Sequence, residues 1–103
     1  MKVKIPDKVK VIGKYYNVVH EDNLFTVNGN YGETRYNKAE IAVQKIVDGA
    51  KFPTQEIDHT FFHELIHAIL REIGEKDLNE NERFVDTFSN VLYQVFTDNE
   101  LME

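Results

Sequence analysis

The spacing of apolar residues in this chain changes once, near Pro53, and that change restricts the possible architecture more than any other feature. Before it, apolar residues recur at every second position. Val9 and Val11, then Tyr16 and Val18, lie on either side of Gly13-Lys14, which predicts a β-hairpin. Asn28-Gly29-Asn30 and Gly32 mark turns in a looser segment. A second hairpin is expected to pair residues 31–36 with 39–43 across Asn37-Lys38, with Ile41 and Val43 on the core side.

After Pro53 the period becomes helical. Pro53-Thr54 opens a helix, and Glu56 and Asp58 suit its positive end. Phe62, Leu65, Ile66, Ile69 and Ile73 then follow at three- and four-residue spacing, and Gly74 supplies a left-handed stop. A second helix is expected from about Asn79, with Phe84, Val85, Phe88, Val91, Leu92, Val95 and Phe96 on its buried face. The order β-β-β-β-α-α is that of an α+β fold, a small antiparallel or mixed sheet followed by two helices. At 103 residues, one domain spanning 1–103 is the expectation.

Composition excludes several function classes. A net charge of −6 argues against nucleic-acid binding, which needs clustered Lys and Arg. The run Lys2, Lys4, Lys8, Lys10 and Lys14 alternates with Val and Ile, as on the solvated face of a strand. The N-terminus has no apolar core of signal-peptide length, and no segment approaches a membrane span. A soluble cytoplasmic protein without a membrane or nucleic-acid partner is therefore expected. Cysteine is absent, so any metal site must use histidine and carboxylate ligands.

Such a site is written into residues 63–67, His63-Glu64-Leu65-Ile66-His67, an HExxH motif in the first helix. Histidines at i and i+4 share one helix face, so two imidazoles can reach one zinc ion. Glu64 between them can take a proton from a metal-bound water. A lone histidine would more often be a packed or hydrogen-bonded residue, but the pair with an intervening Glu favours metal. His59 extends the ladder by one turn. Three such histidines span about 12 Å at 1.5 Å per residue, too far for one ion. His59 is thus expected beside the site or on the plain surface, and His20, at a strand end, in a turn or on the surface.

A catalytic zinc needs a third protein ligand and an open position. The candidates are Glu72, Glu75, Asp77, Glu80, Glu82 and Asp86. Glu72 and Glu75 lie too near the first helix axis to fold back. Glu82 and Asp86 share one face of the second helix with Val85 and Ser89, and are read as facing inward. Glu82 is the first choice and Asp86 the second, although Asn79 as N-cap would make Glu82 the partner in a capping box.

His63-Glu64-Leu65-Ile66-His67 followed by Glu82-Arg83-Phe84-Val85-Asp86-Thr87-Phe88-Ser89 resembles the small gluzincin-type peptidases of the ImmA/IrrE kind, most of all the short phage versions. Gly32-Glu33-Thr34-Arg35-Tyr36 through Glu40-Ile41-Ala42-Val43 resembles the hairpin before that family's active-site helix. The resemblance covers roughly residues 31–98. It implies a zincin-like fold, a bound Zn2+, and Glu82 as third ligand beside His63 and His67. Val85 and Asp86 stand where the family often has Ala and Asn, and these 103 residues are expected to lack the extra domains of longer members.

The expected activity is peptide-bond hydrolysis with zinc-bound water as nucleophile and Glu64 as general base, on a protein or peptide substrate such as a phage or host regulator. Residues 39–43 are expected to form an edge strand that pairs with the substrate. Tyr36, Tyr93 and His59 are alternatives for the second oxyanion donor, and Phe61 and Phe62 are read as core or cleft wall. The competing expectation is a non-catalytic, zinc-stabilised interaction module of the same fold.

Overall fold

The computed structural model describes residues 4–99 and 101. Its strands are β1 (Lys8–Val11), β2 (Lys14–His20), β3 (Gly32–Arg35), β4 (Glu40–Val43), β5 (Ile46–Val47) and β6 (Ala50–Lys51). Its helices are α1 (Leu24–Asn28), α2 (Thr54–Glu72), α3 (Lys76–Asn79) and α4 (Glu82–Asp98). The expected α+β order holds, with α1, the β5–β6 hairpin and α3 added to it.

Both expected hairpins are present. β1 and β2 pair antiparallel, but the turn lies at Ile12-Gly13, one residue earlier than read, because Lys14 already pairs with Val11. β3 and β4 pair antiparallel from Gly32↔Val43 to Arg35↔Glu40, and Ile41 and Val43 are fully buried in the core. Gly32 is therefore a strand residue, whereas Gly29 does end α1 in the left-handed region at φ 76°.

The two hairpins join through a parallel contact between β2 and β4, giving a mixed sheet of order β1-β2-β4-β3. This overturns the expectation that residues 39–43 form an edge. β4 is interior, with its backbone groups taken by β2 and β3, and β3 is the outer strand.

Helix α2 lies between the sheet and α4. Ile57, Phe61, Phe62 and Ala68 join Val11, Tyr16, Val18, Ile41 and Val43 in one core, while Ile66 and Leu70 pack with Val85 of α4 in a second. Phe61 and Phe62 are accordingly core residues. α2 ends at Gly74, φ 78°, where the Glu75 N–H donates to the Leu70 carbonyl, the left-handed stop expected there. Ile73 lies past the last turn and is exposed.

On α4, Val85 is fully buried and Phe84, Leu92, Val95 and Phe96 are half-buried, but Phe88 and Val91 are exposed. The apolar residues of that helix cover a wider arc than α2 alone can bury. Gln44 ties the loops together. Its side chain, 4 % exposed, accepts from the Phe25 N–H and donates to the carbonyls of Asp22 and Ile46. Lys8 and Lys10 are exposed on β1 as expected; Lys2 lies outside the described residues. Among the described residues, no helix is long and apolar enough to cross a membrane.

Candidate metal centre

One face of α2 turns away from both cores and, with β3, lines a cleft of about 460 Å³. Gly32, Thr34, Tyr36, His63, Glu64, His67 and Glu82 form its walls. The i, i+4 spacing places the His63 and His67 rings 5.0 Å apart on that face. Glu82 reaches them from the first turn of α4. Its Oε2 lies 3.1 Å from His63 Nε2 and its Oε1 lies 2.9 Å from His67 Nε2. One ligand atom from each of the three residues falls within 4.8 Å of the others.

The start of α4 explains why Glu82 is available. Asn81, not Asn79, is the N-cap, and its side-chain oxygen accepts the Phe84 N–H at 3.0 Å. Glu82 is thus the first helical residue and has no capping-box role. Glu82 and Asp86 do share a face, but it is exposed rather than turned to the core: Glu82 lines the cleft, Asp86 lines a neighbouring pocket, and their side chains are 68 % and 65 % exposed. Asp86 stands behind His63, its Oδ1 3.5 Å from Nδ1, the nitrogen opposite the one that meets Glu82.

The outer nitrogen of His67 is held more tightly. Its Nδ1 lies 2.6 Å from Asn79 Oδ1, and the Asn79 amide donates to the Tyr36 hydroxyl oxygen at 3.0 Å. Both histidines therefore direct Nε2 at Glu82 and turn Nδ1 to a separate oxygen. An Nδ1–H donated to that oxygen leaves a lone pair on Nε2. Two such lone pairs facing a carboxylate repel unless a cation lies between them. The donor set of two imidazoles and one carboxylate is one that zinc takes, with bonds of about 2.0–2.2 Å.

Glu64 sits beside these groups but is only 8 % exposed. Thr34 donates to its Oε1 at 2.8 Å or, alternatively, to its main-chain carbonyl at 3.0 Å. Burial pushes the Glu64 carboxyl above the usual carboxylate range, opposed by Thr34 and the two histidines. The close approach of β3 to α2 depends on Gly32. A Cβ there would meet Thr60 Cγ2 at 2.5 Å, Glu64 Cγ at 3.0 Å and Glu64 Oε2 at 3.1 Å.

The remaining candidates lie elsewhere. His59 stacks edge-on against Tyr93 at 4.5 Å, one turn from the cluster, and lines an adjoining pocket with Glu56 and Thr60. Tyr93 donates to Asp58 at 3.2 Å and Glu72 accepts from Tyr16 at 2.7 Å. Glu80 pairs with Lys76 on the surface; Glu75 and Asp77 are exposed, as is His20 at the end of β2. Sequence reasoning missed Thr34 and Asn79 as partners of the site. Asn79 carried a signal, a polar residue just before Glu82, but capping competed for it.

Comparison of the chain with protein-family models, curated proteins and solved structures finds no match.

Proposed function

We propose that this protein is a zinc-dependent peptidase with a zincin-like active site, similar to the ImmA/IrrE kind. The observation that carries the reading is the convergence of His63, His67 and Glu82 beside a buried glutamate. A cluster of surface acids and histidines alone would not bury a carboxyl against an edge strand and bond it to that strand's Thr34. His63 Nε2, His67 Nε2 and Glu82 would hold the ion. When bound, zinc supplies Lewis acidity that polarises a peptide carbonyl and makes water a better acid.

The chain's own residues do the rest. Thr34 engages Glu64 Oε1, which leaves Oε2 to take the proton from the attacking water and pass it to the leaving nitrogen. A carboxyl pushed up by burial is a stronger base for taking that proton than an ordinary glutamate would be. β3 is the outer strand along the cleft, so an extended peptide can add to its free edge through main-chain hydrogen bonds. This gives β3 the role that sequence alone assigned to residues 39–43.

The test is hydrolysis of a peptide mixture by zinc-loaded protein, parent against Glu64→Gln. The expected result is cleavage by the parent, a fall of about 10²–10⁴-fold in the variant, and equal zinc content. Equal cleavage by both proteins would remove Glu64 from the chemistry. Zinc in both with cleavage by neither would leave a metal-stabilised binding module instead.

A further inference from the structure

Three tyrosines contact side chains near α2, and only one of them receives a hydrogen bond. Tyr16 and Tyr93 donate to the carboxylates of Glu72 and Asp58. Tyr36 accepts from the Asn79 amide, so its own proton is not given to Asn79. The same amide faces His67 Nδ1 with its oxygen. An amide oxygen only accepts and an amide nitrogen only donates, so one asparagine fixes the hydrogen-bonding sense at both neighbours.

We propose that Asn79 is a positioning residue that sets two protons of the site together. It holds the His67 proton on Nδ1, so that Nε2 is free to bind metal. It also supplies a hydrogen to the Tyr36 oxygen, so that the Tyr36 hydroxyl proton is directed into the cleft as the second oxyanion donor.

The surroundings favour this arrangement. Tyr36 and His67 both line the central cleft, and they meet Asn79 again in the adjoining pocket of about 490 Å³. The Arg71 guanidinium lies 4.7 Å from the centre of the Tyr36 ring and holds that ring from its face. Asn79 is the last residue of α3, brought back over α2 by the left-handed turn at Gly74. Of the other two candidates for the oxyanion, the Tyr93 hydroxyl is engaged by Asp58, and the His59 ring packs against Tyr93 rather than lining the central cleft.

The Tyr36 part rests on the peptidase reading, whereas the His67 part needs only zinc binding. Three variants separate them. Asn79→Ala removes both bonds. Asn79→Asp keeps the acceptor for His67 but has no hydrogen for Tyr36 and would instead take the Tyr36 proton. Tyr36→Phe removes the hydroxyl alone. Thermal melts establish that each is folded before zinc affinity, the His67 Nδ1–H signal in nitrogen-15 spectra of the zinc-loaded protein, and kcat are compared.

Asn79→Ala is expected to weaken zinc binding by about 10–100-fold and to lose the slowly exchanging Nδ1–H. Asn79→Asp and Tyr36→Phe should bind zinc like the parent, yet both should lose about 10²–10³-fold in kcat with little change in KM. A parent-like Nδ1–H and zinc affinity in Asn79→Ala would overturn the proposal whether or not any peptide is cleaved. A parent-like kcat in Asn79→Asp, beside an impaired Tyr36→Phe, would overturn the link from Asn79 to Tyr36. If the parent cleaves nothing while Asn79→Ala still loses zinc, the peptidase reading and the Tyr36 role fall, and the hold on His67 stands.

Discussion

The two ends of α2 and its middle use the same chemical groups differently. At the C-terminal end Tyr16, fully buried, donates to Glu72; at the N-terminal end Tyr93 donates to Asp58. These bonds fasten the helix to β2 on one side and to α4 on the other. At the middle, the polar side chains of His63, Glu64 and His67 face a cleft, and Tyr36 beside them receives a hydrogen bond from Asn79. A tyrosine that donates to a carboxylate is a fastener. A tyrosine that accepts keeps a proton for something else.

The middle also needs β3 to come closer than a side chain allows, which gives the largest expected effect. Gly32→Ala places a Cβ against Thr60, whose hydroxyl is bonded to the Glu56 carbonyl, and against Glu64. Overpacking of this kind costs about 1–3 kcal/mol. Chemical denaturation should show that loss; an unchanged midpoint would mean that the strand and helix are not held at this distance.

The carboxyls at the two fasteners should respond to pH with opposite sign, and the Tyr16 bond should be the more sensitive to mutation because its ring is wholly buried. The Tyr16 bond holds the Glu72 carboxyl below the usual carboxylate range. Its contribution is present above the unfolded value of about 4.3 and is lost as pH falls through the lower folded value. Tyr16→Phe should therefore lower Tm by more at pH 6 than at pH 3. Equal losses at both pH values would show that the bond does not depend on the charge of Glu72.

Asp58 is the smaller and inverse case. Burial raises its carboxyl above the usual range, with Tyr93 pulling the other way. Here the native state holds its proton more tightly than the unfolded chain, so stability declines as pH rises from about 3.9 through the higher folded value. Asp58→Asn, which keeps an acceptor for Tyr93, should improve in Tm relative to the parent between pH 3 and pH 6, by a few degrees at most. A difference that stays constant over this range would contradict the assigned cause.

Much of this arrangement can be read from local spacing, and what cannot is non-local. The i, i+4 histidines, the helix opening at Pro53 and the stop at Gly74 depend on neighbours within a turn, and the structure has them where the spacing puts them. Of the two carboxylates offered by the second helix, Glu82 meets both histidines and Asp86 approaches His63 alone. The edge strand was misplaced because the parallel pairing of β2 with β4 joins segments more than 20 residues apart.

Asn79 and Asn81 are both ordinary caps in sequence, and only the short α3 decides that Asn81 caps α4 and Asn79 turns to His67. Gly32 looked like a turn because nothing local shows that Thr60 will lie against it. Asp48-Gly49, by contrast, carries a local hairpin-turn signal, and it joins β5 to β6 with positive φ at both residues. The exposure of Phe88 and Val91 could not be read from α4 alone, since an apolar arc does not say how much of it a neighbour will cover.

The central claim is that the middle of α2 and the start of α4 form one metal centre. Zinc content per chain, measured by elemental analysis after zinc loading and dialysis, tests it most directly when parent, His63→Ala and Glu82→Ala are compared. One zinc per parent chain, with strong loss in both variants, is the predicted result. A parent that retains no zinc, or a Glu82→Ala protein that retains it as the parent does, would contradict the account.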